Sequence, residues 1–239
     1  MTLTPIKTPK VVKRMFPNYI WDIQTTDKII YLTFDDGPTP EITNWTLNTL
    51  KQYNAKASFF CIGNNIEKYP DIFENILKDG HNIGNHTHNH TKGWKTKTND
   101  YIKSITKAQD IIYSQVSNSK FQIANSNIIN REPTNFFRPP HGQITPKQGK
   151  SLIKLGYKII MWDVLSFDWD ATVDKKTCLS NVIKNTTRGS IIVFHDSIKA
   201  SKNMQYSLPK VLEYFSEKGY VFKSLNSSNY TPKNNNYLF

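Results

Sequence analysis

The chain has 239 residues, of which 38% are hydrophobic and 21% charged, a composition typical of a folded globular protein and not of a disordered one. Its formal net charge is +12, but the lysines are scattered and no dense basic run is interleaved with aromatic residues, so no nucleic-acid partner is predicted. No apolar run approaches the roughly 18 residues that span a bilayer, so no membrane span is predicted.

The first 16 residues contain basic side chains but no continuous apolar segment followed by a small-residue cleavage site. The sequence therefore predicts no signal peptide and a cytoplasmic location, while an extracytoplasmic location stays open for a chain whose leader has been removed. Cys61 and Cys178 each lie in an apolar run, which predicts two small core residues rather than a disulfide pair. We expect a monomer.

Short β-rich runs alternate with amphipathic helical patterns along most of the chain. Strands are predicted at residues 28–34, 57–62, 81–84, 134–137, 158–164, 190–194 and 220–223. Helices are predicted between them at residues 40–53, 70–79, 98–116, 146–156, 175–186 and 209–218. Thr39 is the predicted N-cap of the first helix and Pro40 its first residue, and Pro70 and Pro146 begin two others in the same way.

Alternation of strands and helices predicts a parallel sheet with helical crossovers, which is an α/β fold. Seven strands fit either a barrel or an open doubly wound sheet, and periodicity alone does not choose between them. Residues 117–133 are polar and read as a surface excursion. We therefore predict an N-terminal extension at 1–27 packed on or near a main domain at 28–225, and a polar tail at 226–239.

Polar side chains that can take part in chemistry follow these predicted strands. They lie at the carboxyl ends, where parallel α/β folds gather their active sites. The seven residues are Asp35, Asp36, His86, His90, Arg138, Asp168 and His195.

Asp35 and Asp36 are adjacent carboxylates that point in different directions along an extended segment, so one can bind a cation while the other accepts a proton. A turn-capping Asp-Gly signal without chemistry is the alternative for this pair. His86 and His90 are four residues apart, and on a helical turn both imidazoles would reach one face. Two imidazoles and one carboxylate make a three-ligand site of the catalytic zinc type.

The remaining histidines and the second half of the chain give weaker signals. His88 should point away from a site that His86 and His90 share, and His81 keeps a structural role. Arg138 precedes two prolines, so the next free backbone amide, at His141, could point at an oxyanion. His195 ends an apolar run, and a carboxylate such as Asp168 beside it would favour the protonated, acidic imidazole.

Five segments, in order and spacing, resemble the five motifs of the polysaccharide deacetylase family, carbohydrate esterase family 4, with its NodB-homology domain. They are TFDDG at 33–37, HTHNH at 86–90, RPPHG at 138–142, FDW at 167–169 and IVFH at 192–195. The resemblance covers residues 28–223 and implies a distorted (β/α) barrel of about seven strands.

The resemblance also implies a role for each motif residue. Asp35 would be the general base, oriented by Arg138, and Asp36, His86 and His90 would bind a divalent metal ion, usually Zn²⁺, with Co²⁺ or Ni²⁺ also possible. The His141 amide would stabilise the oxyanion, and His195, tuned by Asp168, would be the general acid. Trp169 and Val193 would line the pocket for the acetyl methyl group.

The sequence departs from the family pattern at three positions. His141 stands where the family usually has Tyr, Leu165 stands where Asp is often found, and Val193 replaces the common Leu. None of these changes removes a predicted metal ligand or an acid–base residue, so a catalytically active member is expected.

The sequence thus predicts a metal-dependent hydrolase that removes N-acetyl groups from an amino-sugar polymer or oligomer, either a chitooligosaccharide or peptidoglycan N-acetylglucosamine. An O-acetyl ester, cyclic imide or formamide hydrolase on the same scaffold is one alternative. A non-catalytic carbohydrate-binding protein is another, although such a protein would need neither Asp35 nor His195. The segments 64–69, 91–99 and 117–133, read as substrate-selecting loops, carry no readable code for the sugar.

Overall fold

The computed structural model describes residues 4–118 and 135–226, and its strands form one parallel sheet that curls into a distorted (β/α) barrel. This confirms the predicted fold. The sheet order is β5-β4-β3-β2-β1-β7-β6, and β8 pairs with the start of β1. Among the described residues the strands are β1 (Ile29–Asp35), β2 (Ala57–Cys61), β3 (Asn82–Asn85), β4 (Phe136–Phe137), β5 (Lys158–Ile159), β6 (Val164–Leu165), β7 (Ile191–His195) and β8 (Val221–Phe222).

Helices cover the outer side of the sheet and bury its apolar face. The main core cluster lies between strands β1, β2 and β7 and these helices, with Phe34, Phe59 and Phe194 stacked on one another. The helices of the described residues are α1 (Lys10–Met15), α2 (Ile42–Gln52), α3 (Gly63–Lys68), α4 (Pro70–Lys78), α5 (Thr98–Asn118), α6 (Pro146–Lys154), α7 (Lys175–Asn185) and α8 (Ser201–Glu217). None of them has the length and apolar character that a membrane crossing requires.

The predicted strand at 158–164 is wrong in extent, because the chain forms two short strands, β5 and β6, in that interval. The predicted strand at 134–137 is shorter, at Phe136–Phe137, and its first residue lies outside the described residues. Most of the predicted excursion at 117–133, and the predicted tail beyond residue 226, also lie outside them.

Three helix predictions need correction. The first predicted helix begins at Ile42, not Pro40, because Glu41 takes a positive φ of 64° and interrupts the helical backbone. The segment 64–69, predicted as a loop, is helix α3. The last predicted helix begins at Ser201 and tolerates Pro209 in its interior. Pro70 and Pro146 begin their helices as predicted, the latter with Thr145 and Gln148 forming a capping box.

Residues before β1 bridge the sheet edges at β5 and β6. Ile20 donates a backbone hydrogen bond to Ile159 O at 2.9 Å and accepts one from Met161 at 2.7 Å. Leu165 donates to Ile6 O at 2.8 Å. These contacts satisfy edge groups that two short strands would otherwise leave exposed. The division of the chain into an extension, a main domain and a tail stays a prediction.

Parallel register brings the strand ends to one edge of the barrel. Asp35, the last residue of β1, lies opposite His195, the last residue of β7. Asn85, which ends β3, lies opposite Phe137 in β4, so His86 and Arg138 leave neighbouring strands side by side. These polar residues therefore meet at one edge of the barrel, although they lie far apart in the sequence, between positions 35 and 195.

Candidate active site

Asp35 is a buried carboxylate held by a buried arginine. Its Oδ1 accepts a hydrogen bond from Arg138 Nη1 at 2.7 Å, and Asp35 is 4% exposed while Arg138 is fully buried. Hydrogen bonds between oppositely charged groups that are buried from solvent are among the strong ones. Only one guanidinium nitrogen contacts this carboxylate, so Asp35 Oδ2 receives no bond from Arg138 and is left to other partners.

The remaining guanidinium donors fix Arg138 to the barrel wall. Nη1 also donates to Thr33 Oγ1 at 2.7 Å, Nε to Ile160 O at 3.2 Å and Nη2 to Met161 O at 2.8 Å. The guanidinium lies 4.1 Å from the centre of the Phe60 ring. Burial lowers the pKa of Arg138 and Asp35 opposes that shift. Arg138 is thus buried in the barrel wall and binds the Asp35 carboxylate through a single hydrogen bond.

Asp36 contacts two histidines, whereas Asp35 contacts Arg138. Asp36 Oδ1 lies 3.2 Å from His90 Nε2 and 3.6 Å from His86 Nε2. These three ligand atoms all lie within 4.8 Å of one another. Asp36 has a positive φ of 81°, and Asn65 on α3 donates to its backbone oxygen at 2.8 Å, which helps hold this strained turn.

The hydrogen-bond pattern of this cluster fits a divalent metal ion. His86 Nδ1 lies 2.8 Å from the carbonyl oxygen of Arg138, which can only accept, so Nδ1 carries the hydrogen. Neutral His86 therefore presents an Nε2 lone pair to Asp36 Oδ1, which is buried and has no hydrogen-bond partner among the described residues. Burial and the neighbouring His90 lower the pKa of His86 well below its ordinary value. Lone pairs facing a carboxylate oxygen are satisfied by a cation between them.

The two histidines are brought together by a loop and not by the helical turn that their spacing suggested. Thr87 and His90 have positive φ values of 65° and 52°, which a helix excludes. Asn85 Oδ1 accepts from Thr87 N at 2.9 Å, and Thr87 Oγ1 accepts from Thr91 N at 2.8 Å. His88 points away, with its Nε2 3.6 Å from Glu67 Oε2.

His195 and Asp168 form a second charge pair beside Asp35. Asp168 Oδ1 lies 2.8 Å from His195 Nδ1, and its Oδ2 accepts the backbone N–H of His195 at 2.7 Å. Burial lowers the pKa of His195, but the charge and hydrogen bond of Asp168, with smaller contributions from Asp36 and Asp35, raise it to about 9. The imidazole is therefore protonated near neutral pH, and Asp168 holds its Nδ1 hydrogen.

The three residues predicted to contact substrate lie around the histidines and carboxylates of the site and differ in their exposure to solvent. His141 is exposed, with a positive φ of 57° and its ring 4.7 Å from that of His90. Trp169 is partly exposed and meets the His195 ring edge-on at 4.7 Å. Val193 is 1% exposed and lies two residues before His195, so its side chain shares the inner face of β7 one step below the site. His81 accepts the backbone N–H of Ala57 at 3.1 Å and packs on Phe59, as its structural interpretation predicts.

The sequence analysis missed Asp196, which fixes the turn after β1. Its Oδ1 accepts the backbone N–H of Gly37 at 3.1 Å, its Oδ2 accepts Thr43 Oγ1 at 2.5 Å, and its own N–H donates to Asp35 O at 3.1 Å. Burial raises the pKa of Asp196 to about 8, although the hydrogen bond from Thr43 opposes the shift. The signal was available, because Asp196 directly follows an apolar run and His195.

Comparison with known proteins identifies relatives of the whole barrel. The family model described as "Polysaccharide deacetylase" matches residues 22–160. A peptidoglycan-N-acetylglucosamine deacetylase of Bacillus cereus is 35% identical over 85% of this chain and 69% of its own length. The peptidoglycan-N-acetylmuramic acid deacetylase PdaC of Bacillus subtilis is 31% identical over 83% of this chain and 38% of its own. The solved structure of the Bc1960 peptidoglycan N-acetylglucosamine deacetylase superposes with a TM-score of 0.78 at 31% identity, over 91% of this chain and 95% of that one.

Gly37→Ala tests whether Asp196 packs against the turn as described, because a Cβ at position 37 would overlap the Asp196 carboxylate. We expect the free energy of unfolding, measured by urea denaturation, to fall by on the order of 3 kcal/mol. Gly156→Ala is the matched control. It places a Cβ at a positive φ and in ordinary van der Waals contact with Asn135 Nδ2, at 3.7 Å, and should cost only about 1 kcal/mol of backbone strain.

A double-mutant cycle tests whether the Asp196 carboxylate causes the loss of stability in Gly37→Ala. If the Asp196 carboxylate is what the new methyl group meets, Gly37→Ala should cost clearly less in an Asp196→Ala background. Strictly additive effects of the two substitutions would contradict this packing.

Proposed function

The chain belongs to the polysaccharide deacetylase family, and we propose that it removes N-acetyl groups from amino sugars of peptidoglycan in a reaction that depends on a divalent metal ion. The observation that carries the proposal is the meeting of three unlike groups at one edge of the barrel. These are the Asp36–His86–His90 cluster, the Asp35–Arg138 pair and the His195–Asp168 pair.

Asp36 Oδ1, His86 Nε2 and His90 Nε2 are the atoms that would hold the metal ion. A bound ion such as Zn²⁺ would polarise the acetyl carbonyl and make water a better nucleophile at neutral pH. Co²⁺ and Ni²⁺ suit the same donor set, because imidazole and carboxylate ligands accept all three.

Asp35 is proposed as the general base. Arg138 binds Oδ1 and fixes the rotation of the carboxylate, while Oδ2 is left to take a proton from an attacking water. A base held rigidly within hydrogen-bond reach of its proton is what general-base catalysis requires.

His195 is proposed as the general acid. Asp168 holds the Nδ1 hydrogen, so the proton available to a leaving nitrogen is the one on Nε2. A pKa raised to about 9 keeps that proton in place at neutral pH. An amine is a poor leaving group unless it is protonated, and His195 would supply this proton when the C–N bond breaks.

The remaining proposed contacts surround the acetyl group. The backbone N–H of His141 is proposed as a donor to the oxyanion, a role in which the side chain matters less than the amide. Trp169 is proposed as an apolar wall next to His195, and Val193 as the floor below it. Leu165, in register with Val193, offers no carboxylate there.

Peptidoglycan is the proposed substrate because the relatives similar over most of this chain are named for it. Intact peptidoglycan lies outside the cytoplasm, so this substrate goes with the extracytoplasmic alternative, and the location stays a prediction.

Acetate release tests the proposal directly. The purified chain is incubated with peptidoglycan glycan strands, with chitooligosaccharides and with O-acetylated xylan, before and after chelation and again after Zn²⁺ is restored. We expect acetate and free amines from an N-acetylated substrate, loss of both on chelation and recovery with Zn²⁺. Release that ignores the chelator would contradict metal dependence, and acetate from xylan alone would identify an ester hydrolase instead.

Asp35→Asn should lower kcat for acetate release by on the order of 10²-fold or more, because the amide cannot accept the proton. Zinc content should stay at the wild-type level, since the three proposed metal ligands are unchanged. Asp27→Asn, at an exposed aspartate before β1, is the matched control. A near-wild-type rate in Asp35→Asn would remove this residue from the mechanism.

Asp168→Asn should move the alkaline limb of the kcat/KM profile to lower pH by more than about one unit. Without the Asp168 charge, burial lowers the pKa of His195 and is opposed only by the smaller effects of Asp36 and Asp35, so the acid loses its proton at lower pH. In the wild-type protein the raised pKa also stabilises the fold below pH 6.5, and that contribution is lost as pH rises through about 9. Asp170→Asn, at a neighbouring aspartate that contacts Thr172, is the control, and an unchanged alkaline limb in Asp168→Asn would contradict the assignment of His195.

A further inference from the structure

The segment that follows His90 presents an unusual aromatic side chain to solvent. Trp94 is 66% exposed and lies in a 3₁₀ turn, Gly93–Lys95. We call residues 91–97 the Trp94 loop. Single exposed apolar residues are common on proteins, so exposure alone assigns no role to this indole.

The Trp94 loop is held in one conformation by the neighbouring helix α6. Gln148, which is 1% exposed, donates to Gly93 O at 2.9 Å and to Thr96 O at 3.1 Å. Thr96 Oγ1 closes the loop on Lys92 O at 2.9 Å. Gly93 is buried against Gln143, and a Cβ there would overlap the Gln143 carbonyl.

The indole itself is also anchored. Trp94 Nε1 donates to Ile144 O at 3.2 Å, which fixes the ring although most of it faces solvent. A rigid exposed aromatic ring loses little conformational entropy when a ligand packs on it. An indole that is exposed and also held in one orientation is suited to bind a ligand.

Both attachments of the ring belong to the segments that build the candidate active site. The loop begins directly after His90, and Ile144 lies three residues after His141, whose ring contacts His90 at 4.7 Å. Trp94 therefore lies beside the proposed metal and oxyanion residues, at the rim rather than among them.

The loop is also cationic. It carries Lys92, Lys95 and Lys97, all exposed, and the stretch 91–99 contains no Asp or Glu. Lys92 lies two residues after His90 and two before Trp94, and its side chain is exposed. An ammonium on this short segment would attract an anionic group of a ligand that packs on the indole.

We propose that Trp94 and Lys92 form an outer subsite for a sugar next to the one that is deacetylated, with the indole packed on the sugar ring and the ammonium paired with a carboxylate of the glycan. The substrate class is then an amino-sugar polymer with carboxylates on neighbouring residues, rather than a neutral one. This inference rests on the proposed function, since it names a further part of the same site. An aromatic ring provides a large apolar surface for the C–H face of a sugar, and the lysine adds selectivity for charge.

Two oligosaccharides of equal length test the subsite. One is a neutral chitooligosaccharide, and in the other alternate N-acetylated sugars carry a free lactyl ether carboxylate. Trp94→Ala should raise KM for both by about ten-fold, because truncation removes the aromatic surface of the subsite, and change kcat less. Lys92→Met should raise KM about three-fold for the carboxylated substrate alone, and high salt should remove the difference.

Leu155→Ala is the matched control for Trp94→Ala. Leu155 is also an exposed apolar residue, at 56%, but it precedes β5 and so lies at the opposite end of the barrel from the site. Its KM values should equal those of the wild type. Wild-type KM values for Trp94→Ala would overturn the subsite, and an equal rise in KM on both substrates for Lys92→Met would overturn the carboxylate contact.

Binding measurements test the subsite independently of acetate release. The Asp35→Asn variant, loaded with Zn²⁺, is titrated with each oligosaccharide and the dissociation constant is measured with and without Trp94→Ala. Weaker binding on loss of Trp94 supports the subsite even for a chain that releases no acetate. Unchanged binding in both titrations overturns it, whereas failure of the proposed function is seen separately, as absence of acetate release by the wild-type chain.

Discussion

The buried pair of Arg138 and Asp35 is the interaction on which the architecture of the site depends. A guanidinium without solvent contact is costly unless its donors are satisfied, and here they reach Asp35 and Thr33 on β1 and the backbone that follows β5. The same side chain therefore ties the first strand to the far side of the barrel. Because Asp35 supplies the compensating charge, replacing Arg138 would leave a buried carboxylate unpaired, and replacing Asp35 would leave a buried cation.

The other charges at this edge follow from that pairing. Arg138 compensates Asp35, and protonated His195 compensates Asp168, so Asp36 is left with two imidazoles. Burial and the neighbouring His90 lower the pKa of His86, although its hydrogen bond to the Arg138 carbonyl opposes that shift. A carboxylate in that position favours a cation that imidazole nitrogens can also bind, which is why a divalent metal ion fits better than a protonated histidine. Asp196, which directly follows His195, has a raised pKa and fixes the turn after β1 by binding Gly37 and Thr43.

The sequence predicted the fold and the edge of the sheet at which the candidate site residues lie, because both depend on where strands end. Apolar runs such as Ile191–His195 mark a strand and its polar terminus at once, so Asp35, His86, Arg138 and His195 could be assigned to one edge before any coordinates. Local conformation was less predictable. The four-residue spacing of His86 and His90 suggested a helical turn, whereas the backbone reaches the same result through positive φ values at Thr87 and His90. Side-chain hydrogen bonds of Asn85 and Thr87 hold this loop, and spacing alone does not reveal them. The role of Asp196 was missed for a related reason, since its partners Gly37 and Thr43 are more than 150 residues away in the chain.

The residues proposed for catalysis lie at strand ends, whereas those proposed to bind the glycan lie on the loops that follow the strands. Residues at strand ends are fixed by the sheet, so Asp35, Asp36 and His195 have little freedom to vary in position. Loops that leave the strand ends can change without disturbing that register, provided that each is anchored, as Gln148 anchors the Trp94 loop. His141 connects the strand-end residues with the Trp94 loop. Its ring contacts His90, and the chain after it leads to Ile144, whose carbonyl oxygen accepts the hydrogen bond from Trp94. A change in the loop after His90 can therefore alter which glycan is held at the rim while the charges around Asp35 and Asp36 keep their arrangement.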